Sequence, residues 1–307
     1  MKNAGKTYLA ISLSMIFWSF SFIWFKEANQ SFRPLTIVFS RLVIASVLLS
    51  LFLYLTKNFV KITKSDMKLF VMLAVFEPFL YFLGESFGLT YVSATVGSVV
   101  ISTIPVVAAL GAMIIFSERL KLINYAGIVI SFLGILVFVI NRHGSLSISY
   151  RGLALLMLAV FSASGYNLTL SRLVGRYGPV FIVCVQNIIG AILFAPLFLI
   201  FDLHHLAASP SPAGNVIPVI ELALFASCGA FILFAYSVNN MGITRANVFT
   251  NSIPVLTAIF SFLLMHEKFT LQNIAGMLIV IAGLFMSQIN GHRKETDEAL
   301  ALTGKTA

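Results

Sequence analysis

The segment Ile104–Gly134, IPVVAALGAMIIFSERLKLINYAGIVISFLG, returns 149 residues later as Ile253–Gly283, IPVLTAIFSFLLMHEKFTLQNIAGMLIVIAG. With no gap, the shift lays Pro105 on Pro254, Glu118 on Glu267, Asn124 on Asn273, and Gly127 and Gly134 on Gly276 and Gly283. Each copy reads as an apolar helix with a proline near its start, an acid beside a base at its far end, a short polar turn, and a second apolar helix carrying two glycines. Chance seldom matches Pro, Glu, Asn and Gly together, so the chain is an internal duplication whose halves can be compared.

Outside this motif the chain is just as apolar. It is 59% hydrophobic and 10% charged, whereas soluble domains carry about 25% charged residues. The chain belongs in a bilayer. At roughly 20 apolar residues per crossing plus short loops, 307 residues make room for about ten helices and no further soluble domain. The apolar runs predict helices near 7–25, 34–55, 67–89, 94–116 and 123–140, then 152–173, 179–201, 216–241, 246–265 and 271–289. The expected fold is an all-α membrane protein of ten transmembrane helices. Residues 1–141 form the first five-helix repeat, 142–151 a linker, 152–290 the second repeat, and 291–307 a disordered cytoplasmic tail. Lys2 and Lys6 precede the first run as in a signal peptide, but the run is as long as a span and lacks an evident small-residue cleavage site, so it is read as retained.

The net charge of +9 does not indicate nucleic acid, because the bases lie in loops and form no cluster interleaved with aromatics. They follow topology. With the N-terminus in the cytoplasm, fourteen Lys and Arg fall on the inner side and five on the outer, leaving Arg41 within the membrane. The positive-inside rule then puts both termini in the cytoplasm and the chain in the cell (inner) membrane. Five crossings per half is an odd number, so the second repeat enters inverted. Inverted repeats characterise many secondary transporters, in which one half rocks against the other around a site near mid-membrane. Cys184 and Cys228 read as buried free thiols. No nucleophile, metal, cofactor or phosphate-loop motif is recognisable, and the adjacent His204 and His205 read as a surface pair, so no enzyme activity is expected.

The residues resemble the drug/metabolite transporter superfamily, specifically its EamA branch. The likeness rests on Phe17, Trp18 and Ser19, on Phe39 to Arg41 with Ala45, and on the motif Pro105, Glu118, Gly127, Gly134 repeated at Pro254, Glu267, Gly276 and Gly283. It spans Tyr8 to Ile289. The resemblance implies the ten-helix fold and transport of a solute; among similar members the solutes are amino acids, metabolites or drugs. One departure is visible: Ser162, Ala163 and Ser164 stand where helix 1 has Trp18, Ser19 and Phe20, so the halves need not contribute equally.

Arg41 lies within the second helix, where an unpartnered charge costs roughly 2.5 to 3.5 kcal/mol. It is either a pin between helices or a cavity residue paired with a carboxylate, for which its planar fork is suited. Seven residues after Pro179, as Arg41 is seven after Pro34, the second half has Gln186, followed by Asn187. Glu77, Tyr81 and Glu85, four residues apart, would share one face of helix 3, and Pro78 would kink it. Burial disfavours the charged form of a carboxyl, so Glu77, with Glu85, is expected to bind a coupling proton or a substrate ammonium group. The alternative is a permanent ion pair with Arg41.

Pro105 and Pro254 each free a backbone carbonyl. Ser98, Ser102 and Thr103 in one copy, and Asn247, Asn251 and Ser252 in the other, are placed to bond it or to face a cavity. Trp18, Trp24, Tyr81, Tyr166 and Tyr236 could wall a pocket, with Asn167, Asn239 and Asn240 orienting an occupant; each could equally be packing or an interface anchor. Glu118 and Glu267 are read as structural ties of their own hairpins. The glycine pairs Gly127 with Gly134 and Gly276 with Gly283 permit close helix packing, within a monomer or a homodimer.

These readings converge on a secondary transporter, an exporter of small organic solutes such as amino acids or related metabolites, working by alternating access and driven either by the solute gradient or by proton exchange. Its expected partners are the small-molecule substrate, membrane lipid and protons. Two rivals stand beside it: a multidrug exporter of lipophilic cations, and a membrane-embedded lipid-handling protein.

Overall fold

The computed structural model describes residues 4–108, 122–139, 149–207 and 216–288. These form ten helical rods: α1 (Ala4–Ala28), α2 (Pro34–Leu55), α3 (Lys64–Tyr91), α4 (Ala94–Ala108), α5 (Leu122–Val139), α6 (Tyr150–Leu173), α7 (Pro179–Leu206), α8 (Ile217–Met241), α9 (Ile243–Leu264) and α10 (Leu271–Gln288). Seven are long and apolar enough to cross a membrane, and α4, α5 and α10 are shorter apolar helices. Glu118, most of the linker 142–151 and the tail 291–307 lie outside the described residues.

Lipid offers the backbone no hydrogen bonds, so each span must satisfy its own, and a helix does this. Pro34 and Pro179 sit in first turns, where a missing N–H leaves nothing unsatisfied. α3 starts earlier than its apolar run because Thr63 caps it, accepting from the Asp66 N–H at 3.2 Å.

The inversion is visible in the contact between α5 and α10. A Cβ added to Gly134 would meet the Val280 nitrogen at 2.5 Å and the Gly276 oxygen at 3.0 Å. Gly283 lies in the same way on the Ser131 nitrogen and the Gly127 oxygen. The 149-residue shift converts one set of contacts into the other, and residue numbers rise along α5 as they fall along α10. The copies therefore run antiparallel about a pseudo-twofold between them. The remaining packing obeys the same axis: α2 lies on α7, α4 on α9, and the contact of α3 with α6 is matched by that of α8 with α1. Helices gain little from burying apolar surface against one another in lipid, so such backbone-close packing carries the association. Large side chains such as Leu122 and Leu271 point away from it.

Two interruptions of regular helix recur at equivalent places in the repeats. α3 has a widened, π-helical stretch at Val75–Leu80 and α8 one at Leu222–Ala230; the 149-residue shift carries the first inside the second. α4 loosens at Ser102 and Thr103, and α9 passes through a 3-10 turn at Thr250–Ser252. Pro105 and Pro254 stand in the first turn of the helix that resumes, so neither orphans a carbonyl in mid-helix as expected. The neighbouring hydroxyls accordingly bond elsewhere, Ser98 to the Thr95 oxygen at 2.8 Å and Ser102 to the Val99 oxygen at 2.7 Å.

Three carboxylates bind the halves together at the helix ends. Asp66 of α3 accepts from Arg176 at 2.6 Å and from Tyr177 at 2.9 Å. Asp202 of α7 accepts from the Thr36 nitrogen at 3.0 Å and the Thr36 hydroxyl at 3.1 Å. Glu267 accepts from Ser93 at 2.5 Å and Thr95 at 2.8 Å, at the start of α4, beside Lys26, which bonds the Leu89 carbonyl at 2.6 Å. Glu267 is thus a structural tie, but to the opposite repeat and not within its own hairpin. The reason is geometric: the start of α4 presents hydroxyls at the level where α9 ends.

Candidate functional site

A cavity of ≈ 60 Å³ lies between the repeats. From α2, Arg41 reaches its wall and is only 3% exposed. Its Nε donates to the Ser227 hydroxyl at 2.8 Å, and its guanidinium stacks over Phe82, 4.3 Å from the ring centroid, a cation–π contact. Among the described residues no carboxylate oxygen comes within 4.0 Å of it.

The acids come from α3. Glu77 sits in the widened stretch with extended backbone (φ −147, ψ 120), and the peptide joining it to Pro78 is cis. The continuous face expected for Glu77, Tyr81 and Glu85 is therefore broken at its first member. Beyond the break α3 is regular, and Tyr81 donates to Glu85 at 2.9 Å. All three still meet at the cavity, because the break turns Glu77 inward. The Glu77 carboxylate is buried and has no hydrogen bond to any described residue.

Amides and aromatics share the wall with the acids. Asn167 of α6 donates to Asn247 of α9 at 3.4 Å, with Ser102 and Thr250 nearby on the wall. Trp18 packs against Phe234 and Phe231 with ring centroids at 4.9 and 5.2 Å, and Tyr166 meets Phe231 edge-on at 6.0 Å. The Tyr166 hydroxyl neighbours the Gln186 amide, though neither oxygen completes a hydrogen bond of good geometry.

Of the residues singled out from the sequence, the cavity brings together Trp18, Arg41, Glu77, Tyr81, Glu85, Ser102, Tyr166, Asn167 and Asn247. Ser98 and Asn251 are buried but off its wall. Trp24 instead stacks on Phe20 at 5.3 Å, and Asn240 is exposed, bonding the Tyr236 carbonyl at 2.7 Å. The alignment of helix 1 with helix 6 also moves by one residue. Ser19 bonds the Ile253 carbonyl at 3.3 Å and Ser164 bonds the Ile104 carbonyl at 3.5 Å, so Ser19 matches Ser164 and Trp18 matches Ala163, a shift of 145.

Phe22, Phe82, Phe231, Phe234 and Thr250 were missed, yet the duplication contained the signal. Adding 149 to Phe82, Glu85, Ile101 and Ile104 gives Phe231, Phe234, Thr250 and Ile253, and adding 145 to Trp18, Ser21 and Phe22 gives Ala163, Tyr166 and Asn167. Every one of these residues lines the cavity. The wall is pseudo-symmetric in position and asymmetric in chemistry, because the first repeat supplies all of its charge.

The EamA-like transporter family model matches residues 5–140 and again 150–288. A protein of Archaeoglobus fulgidus named as an uncharacterized transporter is 26% identical over 281 residues, covering 92% of this chain and 98% of that relative. A Bacillus subtilis protein named as the uncharacterized transporter YcxC is 23% identical over 94% of each chain. A solved structure titled only as a crystal structure of a protein aligns with a TM-score of 0.67 at 14% identity, covering 92% of this chain and 96% of the other, a likeness of fold.

Proposed function

Since this chain belongs to the EamA-like transporter family, we propose that it is a secondary transporter exporting small organic solutes, amino acids or related polar metabolites, across the cell membrane with both termini cytoplasmic. One observation carries the reading: a cavity on the interface between inverted repeats holds Arg41, Glu77 and Glu85 with amides and an aromatic wall. A guanidinium suits a substrate carboxylate and a free carboxylate suits an ammonium group. The aromatics suit an apolar side chain. Inverted repeats meeting at such a site can rock about it and expose it alternately to either side, and Glu77 is placed to exchange its proton for substrate. Flux of a panel of amino acids and cationic dyes into proteoliposomes, with and without an imposed pH gradient, tests this. Amino-acid flux that responds to the gradient supports it; lipid turnover without solute flux defeats it.

A second reading is favoured by the tethering of Arg41 to Ser227 and Phe82. If the guanidinium serves only the wall, two carboxylates and a Trp18, Phe231 and Phe234 face remain, which suits a lipophilic cation. Dye flux that amino acids do not compete against would select it.

A further inference from the structure

Ser227 lies behind the cavity wall, 1% exposed, in the widened stretch of α8. Its hydroxyl takes the Arg41 Nε hydrogen at 2.8 Å. Its carbonyl accepts from the Asn187 amide at 3.3 Å, and the same amide donates to the Val183 carbonyl of α7 at 2.8 Å. The residue that grips Arg41 is thus itself tied to α7 through its backbone carbonyl. Arg41 is buried on the cavity wall and within electrostatic reach of Glu85 and Glu77. Out of bulk water opposite charges attract more strongly than in it. Nevertheless Arg41 stays on Ser227 and Phe82, and Glu77 keeps no partner among the described residues.

We infer that Ser227 is a positioning residue that withholds Arg41 from Glu77 and Glu85, keeping the guanidinium edge and the two carboxylates as separate subsites for a ligand carrying both a carboxylate and an ammonium group. The assignment deepens the amino-acid reading above and rests on it for the identity of the ligand. The placement of Arg41 can be tested without a ligand. The pseudo-symmetry supports the division of labour, since the 149-residue shift takes Pro78 to Ser227. One widened stretch turns an acid into the cavity while its copy holds the base at the rim.

Two experiments separate the parts. In the first, the purified protein is treated with an apolar carbodiimide, which takes protonated carboxyl groups, and modification of Glu77 and Glu85 is mapped by mass spectrometry. Ser227→Ala should slow this labelling about fivefold, because a freed guanidinium pairs with a carboxylate and holds it ionised. Ser227→Ala with Arg41→Gln should restore it. Wild-type labelling rates in Ser227→Ala, or slowing that persists when Arg41 is gone, would overturn the inference. In the second, phenylalanine and phenethylamine, which differ by the carboxylate, are offered to proteoliposomes. Ser227→Ala should raise the KM for phenylalanine about tenfold with kcat within twofold, and in the Arg41→Gln background it should add nothing. If neither compound is carried while the labelling result holds, the amino-acid reading fails and the positioning role of Ser227 stands.

Discussion

Tyr81 gives its hydroxyl hydrogen to Glu85 across 2.9 Å, and this leaves the two acids of α3 in different circumstances. Glu85 has a fixed partner; Glu77, at the helix break, has none among the described residues. Proton exchange is easier at the acid whose deprotonated form is not already held by a donor. Glu77→Gln, which mimics the protonated acid at every pH, should cut gradient-driven flux about tenfold, ~1.4 kcal/mol in barrier terms, and flatten its dependence on pH. As pH rises the wild-type cavity gains a negative charge at Glu77 and the variant does not. Glu85→Gln should keep most of the pH response. Flux through both variants over a pH series checks this, and an unaltered profile in Glu77→Gln would remove the coupling role.

Gly134 and Gly283 hold α5 and α10 at backbone contact. Gly134→Leu or Gly283→Leu should destabilise the protein by ~1 to 3 kcal/mol through overpacking, read as a lower unfolding midpoint in detergent. Gly175→Ala is the control, since nothing lies within 4 Å of a Cβ built there; its midpoint should not move.

Glu267→Ala removes the acceptor shared by Ser93 and Thr95. Loss of these bonds at the start of α4 should cost about 1 kcal/mol, given partial exposure. A double variant with Ser93→Ala should lose less than the sum of the singles, because the Ser93–Glu267 bond is lost in each while the Thr95 bond and the Ser93 cap on the Val96 N–H are each lost in one. Additive losses would show that Glu267 acts elsewhere.

Asp66 joins α3 to Arg176 and Tyr177 at 2.6 and 2.9 Å. Asp66→Asn should loosen that end of the α3 and α6 pair. A single cysteine at Asn247, in a protein with Cys184 and Cys228 replaced, should then react several-fold faster with an impermeant maleimide supplied from that side. An unchanged rate would make the contact a surface ornament.

The excess of bases on one side predicts that the loop at Asn58 faces the cytoplasm and the loop at Asn29 the outside. Single cysteines at the two positions should be labelled from opposite faces of intact cells. Labelling from the same face would defeat the topology.

The duplication was legible because Pro, Glu, Asn and Gly recur at one spacing, and the bilayer turned apolar runs into spans almost without regard to neighbours. An odd number of crossings per half required the inversion, which the antiparallel contact of Gly134 with Val280 and Gly283 with Ser131 displays. Arg41 and Glu77 stood out in the sequence as candidates because charge in hydrocarbon needs a reason, and the structure brings both to one cavity. The structure alone decided that Arg41 is held by Ser227, that Glu267 serves the opposite repeat, and that Phe231 and Phe234 line the same cavity as the acids. These depend on how each helix is rotated about its axis and slid along its neighbour. A span apolar on every side carries no periodicity that marks an inward face, so rotation and register emerge only when the helices pack.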